Sequence, residues 1–311
     1  MNDFLSQSIL YNFDMIEVRS GEILSLCGSF RGPWYRARLT FYPCAGPARL
    51  IKCKPYRKTT YETGYLILGC EKILDLPGEQ HFLVHHSQIT MVHRAVKAFE
   101  GLSEANFSQC KFFMDILYRF CNLDVGQHGL TGSGALHSIL STSDFDWVIY
   151  HRDPALVKAY VVSSKDFKRE LTFEMTHVYS KYGVFVGLSQ TDLDILFADR
   201  WKYFRFRNLR ISMSFVDPLM QADDFLGVPE LGDRVMFEGA VVDAVGCYHV
   251  PRIIPLYCEG EYRIVLTWLF LYNGAFVDGD IVEISGRKIT LNGSKYLLVE
   301  SPQDYILKKI L

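Results

Sequence analysis

In the stretch LTGSGALHSILSTSDFDWVIY, Leu130 to Tyr150, the pair Gly132-Ser133 is followed by two aspartates, Asp144 and Asp146, which flank one Phe in an apolar run. In an extended strand successive side chains alternate faces, so Asp144 and Asp146 project together while Phe145 and Trp147 project the other way. Two parallel carboxylates make a hard oxygen site of the kind Mg²⁺ takes, and Mg²⁺ usually shares such a site with substrate phosphates. Gly132 permits a sharp turn, Ser133 can sit at a helix start, and GALHSIL then supplies about two helical turns whose N-terminal amides would hold phosphates. A plain turn, helix and strand with solvent-facing aspartates is the alternative. Trp147 reads as core packing.

The elements that must position this stretch fall into three textures, and together they predict an α+β chain. Residues 1–92 carry short alternating runs such as RARLTFYP and TGYLILG, broken by Gly and Pro, which read as a β-rich N-terminal module. Residues 93–218 form an α/β centre, where NFSQCKFFMDILYRFCNL sets Phe112, Phe113, Ile116, Leu117 and Phe120 near helical spacing. After the polar linker MQADDFLGVPELGD, residues 229–311 return to short strands with GD and NG turns and read as an OB-like small β-barrel.

At 311 residues, 49% apolar and 14% aromatic, the chain can bury a sizeable core in two or three units. A net charge of −2 argues against non-specific coating of nucleic acid but leaves local basic stripes open. The eight cysteines are scattered, with no C-x-x-C and no tight Cys/His cluster, so a zinc module is not expected and the thiols read as buried and cytoplasmic. There is no charged-then-apolar leader at Met1 and no apolar run of 18 residues, so neither secretion nor a membrane span is expected. The oligomeric state is not legible.

The pattern Gly132-Ser133 followed by Asp144-x-Asp146 in an apolar strand resembles the signature of the DNA polymerase β superfamily of nucleotidyltransferases. The wider chain is similar to a group of mostly archaeal predicted nucleotidyltransferases, in which a β module precedes the catalytic centre and a tail like FEGAVVD…VPRIIPLY…YNGAFVDGDIVEISGR follows it. The likeness covers most of the chain, and its specific part is the central motif. It implies a polymerase-β-like centre in which Thr131, Gly132 and Ser133 bind the triphosphate of an NTP, Asp144 and Asp146 bind Mg²⁺, and a third carboxylate on a later strand completes the site. The implied reaction moves a nucleoside monophosphate from the NTP to a hydroxyl and releases pyrophosphate; the flanking β modules and a basic-aromatic run favour an RNA, tRNA-like end over a protein side chain as the acceptor. The departure lies in NLRISMSFVD, where Ser212 and Ser214 stand at the central positions; Asp217 at the strand end, or Glu174, is the available substitute. Loss of that acid threatens catalysis more than nucleotide binding, so the rival reading is a weak or inactive relative that binds nucleic acid or a protein partner.

The run DRWKYFRFRNLR interleaves Arg200, Lys202, Arg205, Arg207 and Arg210 with Trp201, Tyr203, Phe204 and Phe206. Cations reach phosphates while exposed rings stack on bases, so it suits RNA; a cationic edge strand with a buried aromatic face is the equal alternative. A second string, RLIKCKPYRK, holds Arg49, Lys52, Lys54, Arg57 and Lys58 and reads as a solvated face. His137 could approach the phosphates or lie on a helix face. His249 and the pair His85-His86 read as structural.

Overall fold

Runs with period-two alternation and turn residues between them dominate the chain, and strand is what they form. The computed structural model describes residues 10–27, 33–45, 49–59, 63–76, 79–139, 144–169, 188–198, 200–207, 209–219, 225 and 229–309. Among them, nineteen strands make three sheets. The chain divides into two compact units, Met1–Glu170 with Trp201–Met220, and Leu171–Arg200 with Gln221–Leu311. The N-terminal strands and the motif-bearing centre thus share one unit.

In that unit the N-terminal sheet comprises β1 (Met15–Val18), β2 (Ile23–Leu26), β3 (Trp34–Pro43), β4 (Arg49–Ile51), β5 (Lys54–Lys58), β6 (Glu71–Leu76), β7 (Glu79–His85) and β8 (Ile89–His93). Its order is β4-β5-β3-β2-β1-β8, with β7 also on β3 and β6 on β7. Ile23 pairs with Phe41 and Leu24 with Leu39, so Thr40 is an extra residue in β3. Such a bulge reverses the alternation and turns Arg38 to the same side as Phe41.

The second sheet of this unit holds β9 (His128–Leu130), β10 (Phe145–Tyr150), β11 (Phe167–Arg169), β12 (Tyr203–Phe206) and β13 (Leu209–Val216), in the order β11-β12-β13-β10-β9. Only β10 and β13 run parallel. Helix α1 (Glu104–Cys121) starts at Ser103, whose hydroxyl accepts from the Asn106 amide, and stops where Asn122 turns left-handed. Its Phe113 packs edge-on against Trp147 at 4.7 Å and lies near Phe204 and Phe206. Trp147 is fully buried and faces α1, while Val148 and Tyr150, on the same face as Asp146, are buried as well. Helix α2 (Ala155–Ser163) joins this layer through Tyr160 stacked on Phe120.

The other unit carries β14 (Glu230–Val241), β15 (Arg252–Cys258), β16 (Glu261–Thr267), β17 (Ile281–Leu291), β18 (Ser294–Leu298) and β19 (Tyr305–Lys308). The order is β14-β15-β16-β18-β17-β19, and β14 also pairs with β17, so the hydrogen bonding returns to the first strand. Helix α3 (Gln190–Phe197), capped by Ser189, packs on β19.

The expectation of an α+β chain with a polymerase-β-like α/β nucleotidyltransferase centre is overturned: the described residues are mostly β, in three sheets. The clearest local difference follows Ser133, where residues 132–137 form consecutive turns and no α-helix. Positive φ at Gly132 and again at His137 breaks the repeat of right-handed residues a helix requires. No helix of the described residues is long and apolar enough to cross a membrane.

Candidate functional site

Strand β10 sets Asp146 on the face opposite Trp147, and Asp144 lies two residues earlier, just before the strand begins. The turn before it is sewn to this strand, since the Thr131 amide donates to the Asp146 carbonyl at 2.9 Å. A Cβ placed on Gly132 would stand 2.7 Å from Asp146 Oδ2, so glycine is required both for its φ of +57° and for this close approach. The other carboxylate oxygen, Oδ1, accepts from the Ser212 hydroxyl at 2.5 Å. The Asp146 carboxyl is pushed up to about 6, first by removal from bulk water and then by the Asp144 charge; Lys58, the Ser212 hydroxyl and Arg38 pull the other way.

Cations come to this pair from two sheets. Arg49 feels the charges of both Asp144 and Asp146, which raise its pKa against a larger lowering by burial. In the central sheet, strand register draws two rows across the same face: Tyr203, Ser212 and Asp146 form one, and Lys168, Arg205 and Arg210 form the next. Arg210 precedes Ile211, the partner of Phe145, and is therefore level with Asp144. Sequence reasoning missed Arg38 and Lys168 and set Arg49 and Lys58 aside. The basic character of RLIKCKPYRK was visible, but its orientation depends on pairing with β3.

The remaining expected site residues are distributed as follows. Thr131 is buried and its hydroxyl donates to the Phe13 carbonyl at 2.7 Å, so it fastens the start of the N-terminal sheet. Ser133 is buried within the turn, and its carbonyl accepts from the Ser138 amide. Asp217 lies five residues beyond Ser212, just past the end of β13. There it pairs with Arg152 at 3.8 Å and accepts from the Leu219 amide, so the structure does not bring it to the aspartate pair. Glu174 lies outside the described residues.

The basic-aromatic run is divided by its strand. Phe204 and Phe206 are buried against Phe113, so these rings stack on the core, while Arg205 and Arg210 face the other way. Arg207 ends the strand with its guanidinium 3.6 Å from the Phe112 ring. Lys202 is buried, and Arg200, also buried, belongs to the other unit, where it donates to the carbonyls of Phe270, Leu271 and Asn273. His137 turns away from the pair: its Nε2 lies 3.2 Å from the Ala98 carbonyl, and its ring occupies the space a Cβ on Gly101 would need.

Two carboxylates with hard oxygens fit one Mg²⁺. A third acid is not at hand, because Ser212 fills the facing position on β13 and no group of three His, Cys, Asp or Glu side chains among the described residues is placed to hold a metal. The arrangement can neutralise a polyanion on one side and hold a divalent cation on the other. No family model, curated protein or solved structure matches the chain.

Proposed function

We propose that the first unit is a nucleotidyltransferase of the kind the Gly132-Ser133…Asp144-x-Asp146 pattern resembles, acting on an NTP and an RNA end. The observation that carries this reading is the contact of Gly132 with Asp146: the turn and the carboxylate pair form one constellation, with cations on the same face. Asp144 and Asp146 would hold Mg²⁺, which supplies charge neutralisation at the phosphates. Arg205, Arg210 and Lys168 would hold the acceptor strand. An acceptor hydroxyl oxygen bonds to the α-phosphorus, the bond from that phosphorus to the bridging oxygen of pyrophosphate breaks, pyrophosphate leaves with that electron pair, and the hydroxyl proton passes to solvent. Positioning and electrostatics do most of such work, which a face of fixed cations and carboxylates suits. The free thiols of all eight cysteines support a cytoplasmic setting.

A second reading, binding without transfer, is favoured by one observation, the Ser212 hydroxyl on Asp146 where an acid would be needed. Incubation with α-labelled NTPs, Mg²⁺ and total RNA separates the two. Label on RNA that disappears in Asp144→Asn/Asp146→Asn supports the enzyme. Mg²⁺-dependent NTP binding with no label transferred supports the second reading, and no NTP binding overturns both.

A further inference from the structure

We infer that the outward face of α2 is a self-association surface, on which a second copy of this chain docks with its own α2 running antiparallel. Helical periodicity sorts α2 into two faces. Val157 and Val161 are buried on the inner one, while Ala155, Leu156, Ala159, Val162 and Ser163 are exposed on the other, Leu156 by 56% and Val162 by 65%. Phe120 of α1, stacked on Tyr160 and 59% exposed, extends the apolar surface on one flank. Lys158, half-buried, borders it on the other. The stripe between these flanks carries no charge, and an uncovered apolar face of this kind marks a contact surface.

The occupant follows from a symmetry in the residues. Ala159 is the middle residue of α2, with Leu156 and Val162 three positions to either side and Asp153 and Lys165 six positions to either side. A two-fold axis beside Ala159 and perpendicular to α2 therefore sets Leu156 next to Val162 of the second copy, and the Asp153 end next to the Lys165 end, twice over. Asp153 accepts from the Ala155 amide at 2.7 Å and lies beside the ion pair of Arg152 with Asp217, so this end is acidic on balance. Beyond the other end come Lys165, Asp166, Lys168 and Arg169, all exposed and basic on balance. Antiparallel pairing matches these opposite ends, whereas parallel pairing would oppose like ones. Alanine at the crossing also permits close approach: helix axes about 8–10 Å apart leave the two Ala159 Cα atoms roughly 3.5–5.5 Å from each other. With nine residues, α2 is only about 13 Å long. The contact therefore falls below the roughly 1,200–2,000 Å² of a stable interface, and the dimer should dissociate on dilution.

Sedimentation velocity of the full chain under reducing conditions, from micromolar to near-millimolar protein, reads the association. Wild type should shift from monomer to dimer across that range. Val162→Glu puts a charge into the apolar contact and should weaken dimerisation at least tenfold; position 162 is exposed, so the circular dichroism spectrum should stay unchanged. Disulfide formation under mild oxidation reads the geometry. Ala159→Cys, beside the axis, should link to its counterpart and give at least tenfold more covalent dimer than wild type, because bonded cysteines need Cα atoms about 4.4–6.8 Å apart. Lys165→Cys lies about 9 Å along from the axis in each copy and should not link. Wild type, whose Cys53 is exposed, controls for the native thiols. A wild type that stays monomeric throughout, a Val162→Glu chain that dimerises as wild type does, or Lys165→Cys linking as well as Ala159→Cys overturns the proposal.

Discussion

Ser212 on β13 donates its hydroxyl to Asp146 Oδ1 across the parallel pair of strands, at 2.5 Å. The bond ties up one carboxylate oxygen and leaves the other toward Gly132. Replacing Ser212 by Asp puts a third carboxylate there. Without metal, like charges should lower the Tm; with Mg²⁺ the variant should regain it and show a larger Mg²⁺-induced shift than wild type. Melts with and without Mg²⁺ check this, and label transfer should rise if the missing acid limits turnover.

Gly132→Ala meets two obstacles, a positive φ costing about 1 kcal/mol and a Cβ 2.7 Å from Asp146 Oδ2. The carboxylate must move, so Mg²⁺-dependent NTP affinity should fall at least tenfold while the protein stays folded. Calorimetry beside a thermal melt checks it; unchanged affinity would separate the turn from the site.

Arg205 and Arg210 are paired neighbours on the Asp146 face, whereas Arg207 lies over the Phe112 ring. Arg205→Ala with Arg210→Ala should weaken RNA binding and lower the slope of log affinity against log salt by about one unit for each lost phosphate contact. Arg207→Ala should leave the slope unchanged and cost stability through the lost ring contact, about 0.5–1 kcal/mol. Salt titrations of RNA binding on the two variants check both.

His128 is fully buried between Phe99 and Trp147, and burial lowers its pKa to about 4. The unfolded chain takes up this proton near pH 6.5 and the folded one only near 4, so stability is lost as pH falls through that window, by about 1.4 kcal/mol per unit. His128→Leu removes the loss. The stability of the variant relative to wild type should grow by about 3 kcal/mol from pH 7 to pH 4, as read from urea unfolding across that range.

What the sequence by itself determined is what backbone periodicity determines. The spacing of DFDWVIY sends Asp146 one way and Phe145 and Trp147 the other, because alternation in a strand holds whatever the strand packs on. The apolar spacing in KFFMDILYRF likewise makes α1 a helix that buries Phe113, Ile116 and Leu117. Tertiary structure decided which partner each face meets. GALHSIL has the composition of a helix, yet left-handed residues at Gly132 and His137 make residues 132–137 a chain of turns. Arg200 and Arg205 look equivalent in sequence, but one holds carbonyls in a core and the other lies in the row beside the aspartates. Arg49 and Lys58 come to one side only through a hairpin laid on β3, and Arg38 joins that side through a one-residue bulge within β3. Pairings between strands remote in sequence, and the registers they adopt, depend on packing that local residue spacing does not encode.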